Sequence, residues 1–141
     1  MHVLIIDAQG GGIGRQLVAA IRQTIPEAGI TAVGTNSVAM RKAGAHDAAT
    51  GENAVVVACR KADVIVGPIG IVIADSLLGE ITPVMATAVG QSSAKRILIP
   101  FNHCDNLIAG VSNTSVSALL QEAVSILRQL ADVRKEARIF S

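Results

Sequence analysis

Five short polar segments, each at the end of an apolar run, hold the residues of this sequence that could do chemistry. They are DAQGGGIG at 7–14, GTNS at 34–37, ATGEN at 49–53, GPIG at 67–70 and PFNHCDN at 100–106. Glycine lets the backbone approach a ligand closely, and carboxylate, amide, hydroxyl, imidazole and thiol groups bind or react with one. Since ligands of open α/β sheets bind at the carboxyl ends of the strands, the five segments predict one shared polar site. Unrelated glycine-rich and asparagine-rich turns are the structural alternative.

The first segment has the features of a phosphate cradle. Its glycines allow positive φ, and the helix pattern that begins at Ile13 would present free N–H groups and a partial positive charge to an anion. We therefore predict nucleotide or phosphate binding here, and a tight turn that only needs small residues is the alternative. The predicted binding residues of this segment are Asp7, Gln9, Gly10, Gly11, Gly12, Ile13 and Gly14. Asp7 could contact a ribose hydroxyl or Mg²⁺, or cap its own loop.

The spacing of these glycines differs from the common nucleotide motifs. Counted from Gly10, the third glycine of G-x-G-x-x-G falls on Arg15, and no Gly-Lys-Ser/Thr of a P-loop follows. The turn resembles the G-x-x-x-G-x-G turn of short-chain dehydrogenases, with Gly12 and Gly14 in its last part and Ala8 in place of the leading glycine. That resemblance covers only the start of the chain. Because the sequence has no tyrosine, it lacks the Tyr-x-x-x-Lys pair of that family, and we expect no hydride transfer of that type.

A second resemblance extends over almost the whole chain. Its blocks, in order, are DAQGGGIG, GTN, KAGA, ATGENAVVV, GPIGIVIADSLLGEITP and LIPFNHC. Together they resemble a family of small, uncharacterised proteins from clostridial-type anaerobic bacteria. The resemblance implies a Rossmann-like fold and a common site for the blocks, and it implies no reaction.

Two of the other segments are predicted to complete a binding site. Thr35 and Asn36 follow the second strand and would contact the sugar or base of a nucleotide. Gly67, Pro68 and Gly70 form a turn that is rigid at the proline and open at the glycines, and they would form the opposite wall. In this hypothesis two glycine loops enclose one ligand between them.

The candidates for catalysis are Cys104, Asn102 and Glu52. Cys104 follows the fifth strand and could be a nucleophile, but neighbouring residues point apart, so His103 is poorly placed as its base. A small packing residue is the alternative for Cys104, and Glu52 is first of all a helix-start residue. Metal binding by His46, His103 and Cys104 lacks the spacing of known ligand motifs, so no metal site is predicted.

The elements that must position these residues alternate between strand and helix. Strands are predicted at 3–7, 30–34, 45–49, 63–67, 96–100 and, more weakly, 107–111. Helices are predicted from Ile13 to near Pro26 and at 37–43, 52–61, 83–90 and 116–131. Residues 52–61 also fit a strand, but we predict a helix there because a clear strand follows directly at 63–67. Alternation implies βαβ units, so we predict an α/β, three-layer Rossmann-like fold with a mostly parallel sheet of about five to six strands in one domain, 1–141.

Composition agrees with this fold and excludes several classes of function. Of the 141 residues, 50% are hydrophobic and 16% charged, and Tyr and Trp are absent, so Val, Ile, Leu and Ala build a sheet buried on both faces. Such apolarity also suggests a homo-oligomer interface. The net charge of +1, without a basic run, gives no support for nucleic-acid binding. No membrane span or signal peptide is predicted, so the expected location is the cytoplasm.

Three functions remain open from the sequence. The first is binding of a phosphorylated small molecule, with the cofactor unknown and a nucleotide or dinucleotide as the candidate. The second is a homo-oligomeric or partner-docking module that uses the apolar segment 71–90, in which Asp75 and Glu80 have capping or interface roles. The third is an enzyme that depends on Cys104. No reaction is predicted.

Overall fold

Strands and helices alternate throughout the computed structural model, which describes residues 1–8, 12–101, 106–112 and 114–140. The strands of this part of the chain are β1 (His2–Asp7), β2 (Gly29–Gly34), β3 (Asp47–Ala49), β4 (Val64–Pro68) and β5 (Lys95–Ile99). The α-helices are α1 (Ile13–Thr24), α2 (Ser37–Lys42), α3 (Glu52–Lys61), α4 (Pro83–Gln91) and α5 (Val116–Ile139), and a 3-10 turn spans Ile69–Val72. The predicted helix at 52–61 is confirmed.

The five strands form one sheet in the order β3-β2-β1-β4-β5, and all the pairs are parallel. The chain moves outward from β1 to β3, then crosses back to the other side of β1 for β4. The strand order therefore reverses between β1 and β4, and a crevice at this point is where open α/β sheets bind ligands. The predicted Rossmann-like fold is confirmed.

Both faces of the sheet are covered by helices. The side chains of β1 point alternately to the two faces, and apolar ones are buried on each of them. Val3 and Ile5 pack in a cluster with side chains of α1, α2 and α5. Leu4 and Ile6 pack in a second cluster with side chains of α3 and α4. The three layers hold the carboxyl ends of the strands at one edge of the sheet.

The sequence prediction was wrong for residues 107–111. Residues 109 and 110 form a turn closed by the bond from Val111 N–H to the Ile108 carbonyl (3.3 Å), and Leu107 is 95% exposed. Gly110 has φ +84°, a left-handed conformation that does not continue a strand. An apolar pentapeptide was therefore mistaken for a buried strand.

The last helix runs past its predicted end at residue 131. Its apolar stripe stops there, but no helix breaker follows, and α5 continues to Ile139. Two ion pairs hold this extension on the fold: Arg134 with Asp63 (2.9 Å) and Lys135 with Glu27 (2.7 Å). No helix of the described ranges is long and apolar enough to cross a membrane.

The loop of residues 73–82, which joins the 3-10 turn to α4, has an unusual backbone. Asp75, Leu77 and Leu78 have φ of 63°, 55° and 56°, a region that costs non-glycine residues on the order of 1–3 kcal/mol each. The loop is closed by bonds from Asp75 N–H to the Ile81 carbonyl (2.7 Å) and from Ile81 N–H to the Ser76 carbonyl (3.3 Å). Burial of Leu77 and Ile81 holds this conformation, and Leu78 remains 95% exposed.

Candidate functional site

A cavity of about 170 Å³ opens at the carboxyl ends of β1 and β2, beside the first residues of α3 and α4. Its apolar wall is formed by Ile6, Val33, Val55, Ile81 and Met85. Its polar side chains are Asp7, Thr35, Thr50, Glu52, Glu80 and Thr82. Three of the five polar segments of the sequence therefore meet at one place, and the 73–82 loop adds Glu80 and Thr82 to them.

Asp7 ties the two ends of the glycine loop together. Its Oδ1 accepts the Ala8 N–H (2.9 Å), and its Oδ2 accepts the Gly14 N–H in the first turn of α1 (3.0 Å). The residue is only 5% exposed. Burial raises the pKa of this carboxyl, and the nearby Glu80 adds to the rise, although the bonds from Gly14 and Ala8 act in the opposite direction. The loop-capping interpretation of Asp7 is confirmed, and the same side chain also lines the cavity.

The raised pKa of Asp7 predicts a dependence of stability on pH. Folding raises this pKa above its ordinary value of 3.8, so the folded chain binds the proton more tightly than the unfolded chain. The contribution of this bound proton to the free energy of unfolding is present below the ordinary pKa. It is lost as the pH rises through the pKa of Asp7 in the folded chain. We therefore expect the free energy of unfolding of the wild type, relative to Asp7→Asn, to fall as the pH is raised from about 4.

Urea unfolding of both proteins over a pH series measures this difference. All other carboxyl groups are the same in the two proteins, so the change with pH isolates Asp7. A difference that is independent of pH, or that grows as the pH rises, would contradict the raised pKa.

Hydrogen-bond donors converge at the start of α1. Gly12 is the N-cap residue with φ 79° and has no side chain of its own to cap the helix, and the first turn holds no acidic residue. The carboxyl group of Asp7, from the end of β1, accepts the Gly14 N–H in this turn. A Cβ built on Gly12 would lie 3.8 Å from Nη2 of Arg15 and 3.9 Å from Nε2 of Gln16. Arg15 and Gln16 are not among the predicted binding residues, although charged and amide residues in the first helical turn after a glycine loop are a recognisable signal. Residues 9–11, also predicted to bind, lie outside the described residues.

Two other predicted residues of the first segment are held by packing. The side chain of Ile13 lies in the core beneath α1. A Cβ on Gly14 would lie 2.5 Å from Sδ of Met40 and 2.8 Å from Oδ2 of Asp7, so this position excludes a larger residue. Only their backbones could contact a ligand.

The second and third segments form the rim of the cavity. Thr35 is exposed and lines it, as does Glu52, the exposed first residue of α3. Thr50 joins the two segments, since its hydroxyl donates to the Gly34 carbonyl (3.0 Å) and lies 3.1 Å from Oγ of Ser37. Asn36 is the N-cap residue of α2 and is absent from the described lining of the cavity.

The GPIG segment is explained by packing of the described residues. A Cβ on Gly67 would lie 2.5 Å from the Ile6 carbonyl oxygen, and a Cβ on Gly70 would lie 3.1 Å from Oγ of Ser76. Gly67, Pro68 and Gly70 are buried and do not belong to the described lining of the cavity. Their predicted role as the opposite wall of the site stays a prediction.

Most residues of the cysteine and metal hypotheses lie outside the part of the chain that the structure describes. Asn102, His103 and Cys104 lie outside the described residues. His46 accepts the Ile30 N–H at Nδ1 (3.0 Å), which is a structural contact. In the ranges that the structure describes, no group of three His, Cys, Asp or Glu side chains is placed to hold a metal ion.

Comparison with known proteins gives a family and a distant structural likeness. No curated protein matches the chain. A solved structure that resembles it is that of a dodecameric FMN-dependent UbiX-like decarboxylase from Escherichia coli O157:H7, at 19% identity and a TM-score of 0.45, covering 87% of this chain and 74% of the other. The model of one protein family matches residues 2–132. The chain therefore belongs to the family described as a domain of unknown function, DUF3842.

Proposed function

We propose that this protein binds a phosphorylated small molecule, such as a nucleotide, with the phosphate at the start of α1. The observation that carries the proposal is the group of donors around Gly12, namely the backbone at the start of the helix, the Arg15 guanidinium and the Gln16 amide. Helix N-termini and arginine side chains are the usual partners of phosphate oxygens. The location supports it further, because α1 follows β1 directly, at the point where the strand order reverses.

The position of Asp7 supports approach of an anion from one side of the turn. Its carboxyl group accepts the Gly14 N–H from within the fold, where it is buried. A phosphate would therefore approach from the solvent side of the turn, where the exposed Arg15 lies. At about 170 Å³, the cavity beyond Asp7 is smaller than the roughly 300–1,000 Å³ of pockets that hold whole ligands. In this proposal it holds one end of the ligand.

Ligand-induced thermal stabilisation tests the proposal. We expect AMP or ribose 5-phosphate to raise the Tm, and adenosine, which lacks the phosphate, to raise it less. At about 100 times its dissociation constant, a ligand stabilises the fold by roughly 2.7 kcal/mol, which corresponds to several degrees in Tm. Arg15→Ala should weaken phosphate binding about tenfold, the effect of losing about 1.4 kcal/mol of a charge-assisted contact.

Arg22→Ala is the matched control for this experiment. Arg22 lies in the last turn of the same helix and bonds to the Pro26 carbonyl, so its loss changes the net charge equally but leaves the turn at Gly12 intact. An equal loss of affinity for the phosphorylated compounds in Arg15→Ala and Arg22→Ala would indicate a non-specific attraction between the ligand and the positive charge of the protein. No rise in Tm with any phosphorylated compound would contradict the proposal.

We propose self-association as a second function, on the observation of the exposed leucine in the 73–82 loop. Leu78 is 95% exposed on a backbone that is held in place by the buried Leu77. Val84, in the first turn of α4, is also exposed. Sedimentation of the wild type and Leu78→Ala over a range of concentrations tests this function, because a wild type that stays monomeric throughout would contradict it.

A further inference from the structure

We propose that the cavity between β1, β2, α3 and α4 binds an amine, or the amino group of a heterocycle, at the end of the ligand remote from the phosphate. This inference rests on the proposed function, since it names the class of molecule that the same site would select. The cavity would bind a group of the ligand that donates hydrogen bonds, and a second anionic group of the ligand would not enter it.

The charges of the lining carry the first step. Asp7, Glu52 and Glu80 contribute carboxyl groups, and the described lining residues include no Lys, Arg or His. Such a lining disfavours an anion and favours a group that donates hydrogen bonds or has a positive charge. The anion site and the cavity therefore differ in sign, although they are neighbours.

Helices α3 and α4, which begin at the cavity, do not change this preference for a hydrogen-bond donor over an anion. Thr82 caps α4, because its hydroxyl accepts the Met85 N–H (3.2 Å). Glu52 is an acidic residue in the first turn of α3, where a carboxylate offsets the positive end of the helix dipole. A hydroxyl group or a carboxyl group of the chain therefore already lies at each of these two helix starts.

The size and the apolar wall of the cavity describe the rest of the bound group. A volume of about 170 Å³ is suited to a small ring system or a short chain, being below the roughly 300 Å³ of a complete small-molecule pocket. Val33, Val55 and Ile81 are buried and present an apolar surface to it. An amino-substituted ring fits this arrangement, with its carbon atoms on the apolar side and its N–H groups toward the carboxylates.

Asp7 connects the cavity with the phosphate site. Its Oδ2 accepts the Gly14 N–H at 3.0 Å in the first turn of α1, and the same residue lines the cavity. Asp7 therefore belongs both to the start of α1 and to the cavity, and in this inference one small molecule reaches both places. An aminopurine nucleotide and an amino-sugar phosphate each combine the two required groups in one molecule.

Two matched pairs of compounds test the inference by calorimetric titration: AMP against purine riboside 5′-monophosphate, which lacks only the amino group, and glucosamine 6-phosphate against glucose 6-phosphate. We expect the amino member of at least one pair to bind at least about tenfold more tightly, which corresponds to about 1.4 kcal/mol. In Glu80→Gln this preference should shrink to roughly threefold or less, with little change for the partner that lacks the amino group. Glu52→Gln, at an exposed position, should reduce it too.

Glu122→Gln is the control, because Glu122 is an exposed residue of α5 and its substitution removes the same charge outside the cavity. A preference that persists in both Glu80→Gln and Glu52→Gln would overturn the inference. Equal binding within both pairs would also overturn it, and would leave the proposed function standing. Binding of none of the four compounds would contradict the proposed function, and the inference with it.

Discussion

Replacement of Gly34 by alanine is expected to lower the free energy of unfolding by at least about 3 kcal/mol. A Cβ on Gly34 would lie 2.1 Å from the carbonyl oxygen of Asp7 and 2.9 Å from its carbonyl carbon. Asp7 and Gly34 are the last residue pair of the parallel β1–β2 ladder, so both backbones are fixed by the sheet. The contact can be relieved only by separating the two strands at the site.

Gly90→Ala provides the matched control for this substitution. Gly90 lies in α4, and a Cβ there would meet no atom within 4 Å. Since alanine favours the helix over glycine, this variant should gain up to about 1 kcal/mol. Urea unfolding of the two variants and the wild type measures both effects. A loss of under about 1 kcal/mol in Gly34→Ala would contradict the close approach of the strands.

The fold could be predicted because its main signals are local. Continuous apolar residues in β1 and the spacing of Leu17 and Ile21 in α1 depend only on neighbours in the chain. The parallel sheet then follows from the alternation of strands and helices. The false strand at 107–111 has a suitable composition, and only the tertiary structure decides whether such a segment finds a partner strand.

The candidate site could be predicted only in part, because its residues meet through the register of the sheet. Asp7, Thr35 and Glu52 were selected from the sequence and lie together at the cavity. Glu80 was assigned to capping or an interface, since nothing in the sequence shows that left-handed residues turn the 73–82 loop back toward β1. Gly67 was selected as a ligand contact, and packing against the Ile6 carbonyl already requires a glycine at this position. A glycine that two strands need is indistinguishable in a single sequence from one that a ligand needs.

The second large effect on stability is expected in the 73–82 loop, where the same substitution at two neighbouring leucines should have different consequences. We expect Leu77→Ala to lower the free energy of unfolding of the monomer by about 2–4 kcal/mol and Leu78→Ala to change it by less than about 0.5 kcal/mol. The two residues have almost the same backbone conformation, with φ of 55° and 56°, so the cost of that conformation is common to both. They differ in burial, because Leu77 is 2% exposed and packs in the core under α4, and Leu78 is 95% exposed.

The same pair of variants connects this loop to binding. Leu77 anchors the segment that carries Glu80 and Thr82 to the cavity, so its truncation should also weaken the preference for an amino group. Leu78→Ala should leave that preference unchanged, because its side chain does not support the cavity wall. Unfolding at a protein concentration at which sedimentation shows the monomer, followed by titration with AMP and purine riboside 5′-monophosphate, measures both effects. An equal loss of stability in the two variants of the monomer would contradict the difference in burial. A loss in Leu78→Ala that appears only at higher protein concentration is the result that self-association through this loop predicts.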